Sequence, residues 1–240
     1  MRAGIIPIYN EAERLSQVLP GLAPYFQRLI LIDDASGDES GAWLKEWAKD
    51  RPEVELLTLA KHSGKAAALK AGFARVLELK NRLELPPETL VFTTDADGQI
   101  PQRIIPVAEL KLKQKKLDLL IGERDFALYP AYKIWGNRLL TWNASRLSGF
   151  AYRDSECGFR VFTLNALEKL FPYLSGEKYG LEQEVAVLAP RLGLKVANDL
   201  PVQPEFYRSN TRMSDFFGNL FTGLRARGRA LKKSKGDARL

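Results

Sequence analysis

The sequence predicts an α/β protein built on a largely parallel sheet, and three observations carry that prediction. Short apolar runs alternate with longer amphipathic ones through the first two thirds of the chain. Each apolar run ends in a polar loop. A length of 240 residues with 45% hydrophobic and 27% charged content fits one sizeable globular domain, or at most two small ones, and excludes disorder as the dominant state.

The elements follow in order. Gly4 to Ile8 reads as a strand, and Glu11 to Leu22 as a helix whose Leu15, Val18, Leu19 and Leu22 share one face. Leu29 to Ile32 is a second strand, Ser40 to Asp50 a helix and Val54 to Leu59 a third strand. Lys65 to Lys80 is a helix carrying Ala67, Leu69, Phe73, Val76 and Leu77, and Thr89 to Thr93 is a buried fourth strand. A helix follows Pro101, and Leu117 to Ile121 is the fifth strand. From about Ala131 the chain changes character: a helix over Tyr132 to Leu147 is rich in large apolar and aromatic residues. Then come a strand at Gly158 to Phe162, helices at Asn165 to Phe171 and Leu181 to Leu192, and a strand near Lys195 to Pro201. Ligands of open α/β sheets bind beyond strand C-termini, so the polar segments after the strands are expected to gather on one edge.

One cysteine, Cys157, excludes an internal disulfide, and one histidine, His62, excludes a His/Cys zinc cluster, so any metal is expected on oxygen ligands. No apolar signal region opens the sequence and no run approaches the roughly 20 apolar residues of a membrane span. The expectation is a cytoplasmic protein. The formal charge of +7 is uneven: Arg225 to Leu240 holds seven basic residues and one acid, leaving 29 basic against 28 acidic residues in the body. Residues 1–212 are accordingly read as the domain, and 213–240 as an amphipathic helix with a basic tail.

The most informative segment is Asp95-Ala96-Asp97-Gly98-Gln99, directly after the apolar run Leu90-Val91-Phe92. Two carboxylates one residue apart at a strand end can face one ligand, with a glycine allowing the turn. Such an oxygen site suits Mg²⁺ or Mn²⁺ shared with a diphosphate, whose oxygens complete the octahedron. The competing reading is an Asp-Gly turn capping the next helix.

Context favours the first. Pro7-Ile8-Tyr9-Asn10-Glu11, Asp33-Asp34-Ala35-Ser36-Gly37-Asp38, Gly64-Lys65-x-x-Ala68 and the Asp95 to Gln99 loop occur in one order and spacing. With these segments the chain resembles the family 2 glycosyltransferases, and within them the dolichyl- or polyprenyl-phosphate mannosyltransferase-like branch. Gly122-Glu123-Arg124 and Asp154-x-x-Cys157-Gly158-Phe159-Arg160 extend the likeness over roughly residues 4 to 205. The resemblance implies the GT-A fold, a Rossmann-like mixed, mostly parallel sheet flanked by helices, with a nucleotide-sugar across the strand C-termini. It implies that Pro7, Tyr9 and Glu11 cradle base and ribose, that Asp33 binds the nucleotide while Asp34 braces the loop, that Asp95 and Ala96 lie on the nucleotide side, and that Asp97 with Gln99 holds the divalent ion. Two departures stand out. His62 stands before the Gly-Lys pair, where many relatives carry Asn. The Arg-x-x-Gly-x-Ser-Lys loop of relatives corresponds to Tyr207 to Ser214 without its glycine, so either Arg208 or Arg212 is expected at the diphosphate.

The implied reaction is inverting transfer of a hexose, of mannose or glucose type, from a GDP- or UDP-sugar to a polyprenyl or dolichyl phosphate. A phosphate acceptor arrives ionised, its second pKa being near 6, and needs a cationic cradle rather than a base. Arg124 and Arg138 are the first candidates, with Arg160 a third that equally suits a loop-holding role beside Asp154 or Glu156. A hydroxyl acceptor would require a base, for which Glu182 or Glu184 is available, and a non-catalytic nucleotide-sugar binding module is the remaining alternative. Phe216, Phe217, Leu220, Phe221 and Leu224 ahead of the basic run suit an anionic membrane surface, and a small membrane partner protein is possible; the near-neutral body argues against nucleic acid.

Overall fold

The computed structural model describes residues 1–175, 180–204, 206, 219 and 221–229. Its strands are β1 (Arg2–Ile8), β2 (Arg28–Asp33), β3 (Val54–Thr58), β4 (Leu90–Thr93), β5 (Leu119–Arg124), β6 (Arg160–Thr163) and β7 (Val196–Val202). Its helices are α1 (Ala12–Leu22), α2 (Ser40–Ala48), α3 (Lys65–Asn81), α4 (Ile104–Lys115), α5 (Ala131–Ser148), α6 (Leu164–Leu170) and α7 (Leu181–Arg191), and residues 221–229 are also helical. Every element expected from the sequence up to Val202 is present.

All seven strands form one sheet in the order β3-β2-β1-β4-β6-β5-β7. Only β6 is antiparallel to its neighbours. The apolar runs explain this architecture: a parallel sheet carries helices on both faces, so its strands are buried on both sides, as in β4, where all four residues are buried. Helix α3 lies close on the sheet through Gly72, where an added Cβ would sit 2.5 Å from Cγ2 of Ile5 in β1.

The chain steps outward from β1 to β2 and β3, then crosses back to place β4 on the other side of β1. That reversal between β1 and β4 is the topological switch point, and the loops leaving the two strands diverge there to open a crevice. The fifth strand runs further than its apolar residues alone predict. Gly122, Glu123 and Arg124 pair with Leu200, Pro201 and Val202 of β7, which carries Arg124 into the crevice on a strand instead of a loop. Helix α7 is buried from Leu181 to Ala189 despite Glu182, Gln183 and Glu184. Each of the three has a partner: Lys65 for Glu182, the Leu140 carbonyl for Gln183 and Ser175 for Glu184.

Candidate active site

The crevice is a cleft of about 490 Å³. Pro7, Tyr9 and Glu11 line it from β1, Asp95, Ala96, Asp97 and Gln99 from β4, and Arg124 from β5. Asp34, His62, Lys65, Phe126, Tyr129, Lys133, Asn137, Glu156 and Glu182 complete most of its wall. Eight of the residues singled out from the sequence are thus brought to one place.

The loop after β1 is laced to the loop after β2. Asn10 adopts a left-handed conformation (φ 55°), donates its N–H to Ser36 Oγ (3.0 Å) and accepts from the Gly37 N–H (2.8 Å). The Glu11 N–H donates to Ser40 Oγ (2.9 Å) and the Ala12 N–H to Asp38 (3.2 Å). Asp38 therefore supplies the negative charge favoured at the start of α1. Glu11 makes no side-chain cap bond and lines the cleft. The Tyr9 ring stacks on His62 with centroids 3.8 Å apart. His62 Nδ1 lies 2.9 Å from Asp34, which also accepts from the N–H groups of Ser63 (2.8 Å) and Gly64 (2.7 Å), fixing the entry to α3. Gly98 has φ 75°, so the Asp97-Gly98 turn uses the left-handed region that glycine tolerates best.

Asp33 and Arg138 stand apart from their expected places, each for a geometric reason. Asp33 is buried beneath the cleft and accepts from the Ser36 N–H (3.0 Å), with α2 packed over it at Gly41; consecutive side chains alternate across a strand end, so Asp34 lines the cleft instead. Arg138 is exposed on the far side of α5, because the helical period turns Lys133 and Asn137 to the cleft and carries the residue after Asn137 away by about 100°. Gln99 lines the cleft, and its backbone N–H (3.0 Å) and its side-chain amide both donate to Asp97, which orients that carboxylate. Arg208 and Arg212 lie outside the described residues. Glu184, the second candidate base, is buried away from the cleft on Ser175 and Arg229. Arg160 is buried and donates to the carbonyls of Cys157, Glu182 and Ser155, a loop-holding role.

Negative charge dominates the cleft floor. Lys65 Nζ bridges Asp95 (2.6 Å) and Glu182 (3.2 Å); burial opposes its charge, but the two carboxylates hold its pKa above the ordinary lysine value. Asp97 is raised by burial and by the charge of Asp95, and Glu156 is pushed up to about 7 by burial and by Glu182. Among the described residues no group of three His, Cys, Asp or Glu side chains forms a self-sufficient metal cage. The donor set nevertheless fits a hard divalent ion shared with a ligand: carboxylate oxygens from Asp95 and Asp97 face the cleft in excess of their cations, and diphosphate oxygens would complete the coordination.

On the opposite wall Arg124 is held by Asp154, which is fully buried, through Nε (2.7 Å), Nη2 (2.8 Å) and its backbone N–H (3.2 Å). Asn137 of α5 accepts from the same guanidinium (2.9 Å) and donates to Asp154 (3.2 Å). Phe126 and Tyr129 lie 5.4 and 5.9 Å from the guanidinium carbon. The sequence reading did not single out Lys133, Asn137 or the Phe126–Tyr129 pair, although the four-residue spacing of Lys133 and Asn137 marks one helix face.

Burial alone would push the Asp154 carboxyl up, but Arg124 holds it below the usual carboxylate range. Arg124→Met is therefore expected to destabilise the fold at pH 7 by about 3–5 kcal/mol, a melting-temperature loss on the order of 10 °C. The native Asp154 charge stabilises above the unfolded-state pKa and loses its effect as pH falls through the folded value, so the gap to wild type should narrow in acid. Thermal melts of the variant and of Arg124→Met with Asp154→Asn test this, the double variant recovering stability. For Glu156 the sign is opposite: its folded pKa of about 7 lies above the ordinary 4.5, so wild type loses stability as pH rises from about 5 to 7. Glu156→Gln should match wild type at pH 4.5 and melt higher at pH 8, as calorimetry at the two pH values would reveal.

Comparison with known proteins agrees with this geometry. The model of the family described as "Glycosyl transferase family 2" matches residues 5–171. The chain is 26% identical over 227 residues to a dolichyl-phosphate beta-glucosyltransferase of Trichomonas vaginalis, covering 83% of this chain and 64% of that relative, so it spans less than two thirds of that protein's length. It is 28% identical over 212 residues to the UDP-N-acetylglucosamine--dolichyl-phosphate N-acetylglucosaminyltransferase of Methanococcus voltae, covering 83% of each chain. Among solved structures it resembles glucosyl-3-phosphoglycerate synthase from Mycobacterium tuberculosis in complex with Mn²⁺, UDP-glucose and phosphoglyceric acid, with a TM-score of 0.68 at 14% identity over 96% of this chain and 79% of that one. The fold is the GT-A type, and the chain belongs to glycosyl transferase family 2.

Proposed function

We propose that the protein is an inverting glycosyltransferase that moves a hexose from a nucleotide-diphosphate sugar to a polyprenyl or dolichyl phosphate at the cytosolic face of a membrane. The observation that carries this reading is the division of the cleft, with carboxylates Asp95 and Asp97 at the switch point and the cations Arg124 and Lys133 on the wall formed by β5 and α5. The acidic side suits a metal-bound diphosphate and the basic side suits a second phosphate. The names of the Trichomonas and Methanococcus relatives support a lipid-phosphate acceptor. Their glucosyl and N-acetylglucosaminyl chemistry, with a UDP donor in the second name, favours UDP over GDP.

In this mechanism Tyr9, backed by His62, offers its ring to the base, and Glu11 accepts from ribose or base donors. Lys65, at the start of α3, meets the diphosphate side of the donor. A Mg²⁺ or Mn²⁺ ion held by Asp97, with Asp95 beside it, would neutralise charge on the diphosphate when bound. An acceptor phosphate oxygen attacks the anomeric carbon as the bond to the donor β-phosphate oxygen breaks. The electron pair leaves with the nucleoside diphosphate, and a single displacement inverts the anomeric centre. The ionised acceptor gives up no proton, so no base is required. Arg124 and Lys133 orient it and offset its repulsion from the leaving diphosphate.

Incubation of the full chain with labelled UDP-glucose or UDP-GlcNAc, Mg²⁺ or Mn²⁺, and polyprenyl phosphate should yield an organic-extractable, mild-acid-labile product. Asp97→Ala should reduce its formation by about 100-fold or more. No such lipid with any UDP- or GDP-sugar would sink the proposal.

One observation favours a second reading, transfer to a hydroxyl. Such an acceptor needs a general base with a pKa near the working pH, and Glu156 at about 7 lines the cleft beside Glu182. Under that reading Glu156→Gln or Glu182→Gln abolishes turnover while donor binding survives. Under the phosphate-acceptor reading Glu156→Gln keeps turnover within a few-fold of wild type.

A further inference from the structure

Helix α5 is built inside out. Its buried face carries Lys133, Asn137, Thr141, Asn143 and Ser148 beside Leu140, Ala144 and Leu147. Its outer face carries Tyr132, Trp135, Leu139 and Trp142, which are 51%, 72%, 46% and 60% exposed. Those four positions recur at intervals of three and four residues, so they form one stripe along the helix. Lys133 and Asn137 face the cleft, while Thr141 pairs with Ser155 and Ser148 with the Phe150 backbone. The core explains none of the outer stripe, and water is a poor solvent for two exposed tryptophans on one helix face.

The charges on α5 and on the helix beside it have one sign. Helix α5 contains no acidic residue, and its exposed charges are Arg138 and Arg146. Residues 221–229 form a second helix that packs on α5 at Gly223, where an added Cβ would lie 3.0 Å from Asn143 and 3.1 Å from Leu147. This helix also lacks acids, and it exposes Phe221 and Leu224 together with Arg225 and Arg227.

We propose that the outer face of α5, with the 221–229 helix beside it, is a docking surface for an anionic lipid bilayer. The inference rests on the lipid-phosphate reading above and names the surface through which that acceptor is reached. The chemistry selects the occupant: Trp and Tyr favour the boundary between headgroups and acyl chains, arginines among them pair with lipid phosphates, and an acid-free surface avoids repulsion. At about 1.5 Å per residue the 18 residues of α5 extend roughly 27 Å. No described helix is long and apolar enough to cross a membrane, so α5 lies along the surface. One side of the helix then meets lipid while the other presents Lys133 and Asn137 to the cleft, one helix diameter away.

Flotation of the full chain with vesicles tests this. Wild type should float with mixed phosphatidylcholine and phosphatidylglycerol vesicles and much less with phosphatidylcholine alone. Trp135→Ser combined with Trp142→Ser should lower anionic-vesicle binding by about tenfold or more, with an unchanged melting temperature because both side chains are exposed. On wild type, brominated lipids should quench tryptophan fluorescence, and this result needs no variant to fold. Failure of wild type to float, equal flotation of the variant, or a wild-type dimer that the substitutions dissociate would each overturn the proposal, the last by assigning the stripe to a second copy. Transfer to a short-chain, water-soluble polyprenyl phosphate separates the two readings. The variant should keep that activity and lose transfer to acceptor embedded in vesicles, whereas a wild type that uses neither acceptor refutes the lipid-transfer reading and leaves flotation to decide the surface.

Discussion

The buried carboxylate of Asp154 is the point on which the second half of the cleft depends. It accepts from the Arg124 side chain and backbone, from Asn137 and from the Glu156 N–H (3.1 Å). Its own N–H and that of Arg153 donate to Asn198 of β7, whose amide nitrogen reaches back to the Ile121 and Gly122 carbonyls of β5. One ion therefore fixes the end of β5, the face of α5 and the loop carrying Glu156 relative to one another. A buried ion pair adds little net stability compared with an apolar substitute, and its value lies in orientation. Here it holds a permanently charged guanidinium at the cleft wall without letting it collapse onto the carboxylates opposite.

Those carboxylates are the second constraint. Asp95, Asp97, Glu156 and Glu182 meet in one cleft with Lys65 between two of them. The upward shifts of Asp97 and Glu156 express the same electrostatic fact: removing water and crowding like charges raises the free energy of the ionised form. Cations entering this cleft relieve that cost, and a metal–diphosphate would bring positive charge to the floor while extending its own negative charge toward Arg124 and Lys133. In the proposed reaction this separation would keep a donor diphosphate and an acceptor phosphate from needing the same cation.

Much of this was legible in the sequence because it is written in local patterns. The apolar runs gave the strands within a few residues, and polar segments after strands must share an edge in a parallel sheet, which brought Tyr9, Glu11, Asp95 and Asp97 together. What the sequence left open depends on rotation and burial. Whether Asp33 or Asp34 faces the cleft turns on a single step of strand alternation. Arg138 is a candidate in the sequence, but which face of α5 turns inward is set by packing, and the structure brings Lys133 to the cleft and leaves Arg138 outside. Glu156 is ordinary in sequence, and its raised pKa comes from burial and from the charge of Glu182 on α7, which only the fold brings about.

That inversion of α5 also changes the meaning of the net charge. The excess of basic over acidic residues sits in the last sixteen positions, and the body is close to neutral. A neutral body bears no long-range attraction to an anionic surface, so any orientation must come from the distribution of charge and not from its sum. Two packed helices without a single acid, exposing arginines around aromatic side chains, provide such a distribution at the cleft wall itself. A helix set between the polar cleft and the proposed lipid surface would keep Lys133 and Asn137 inward and its aromatic residues outward.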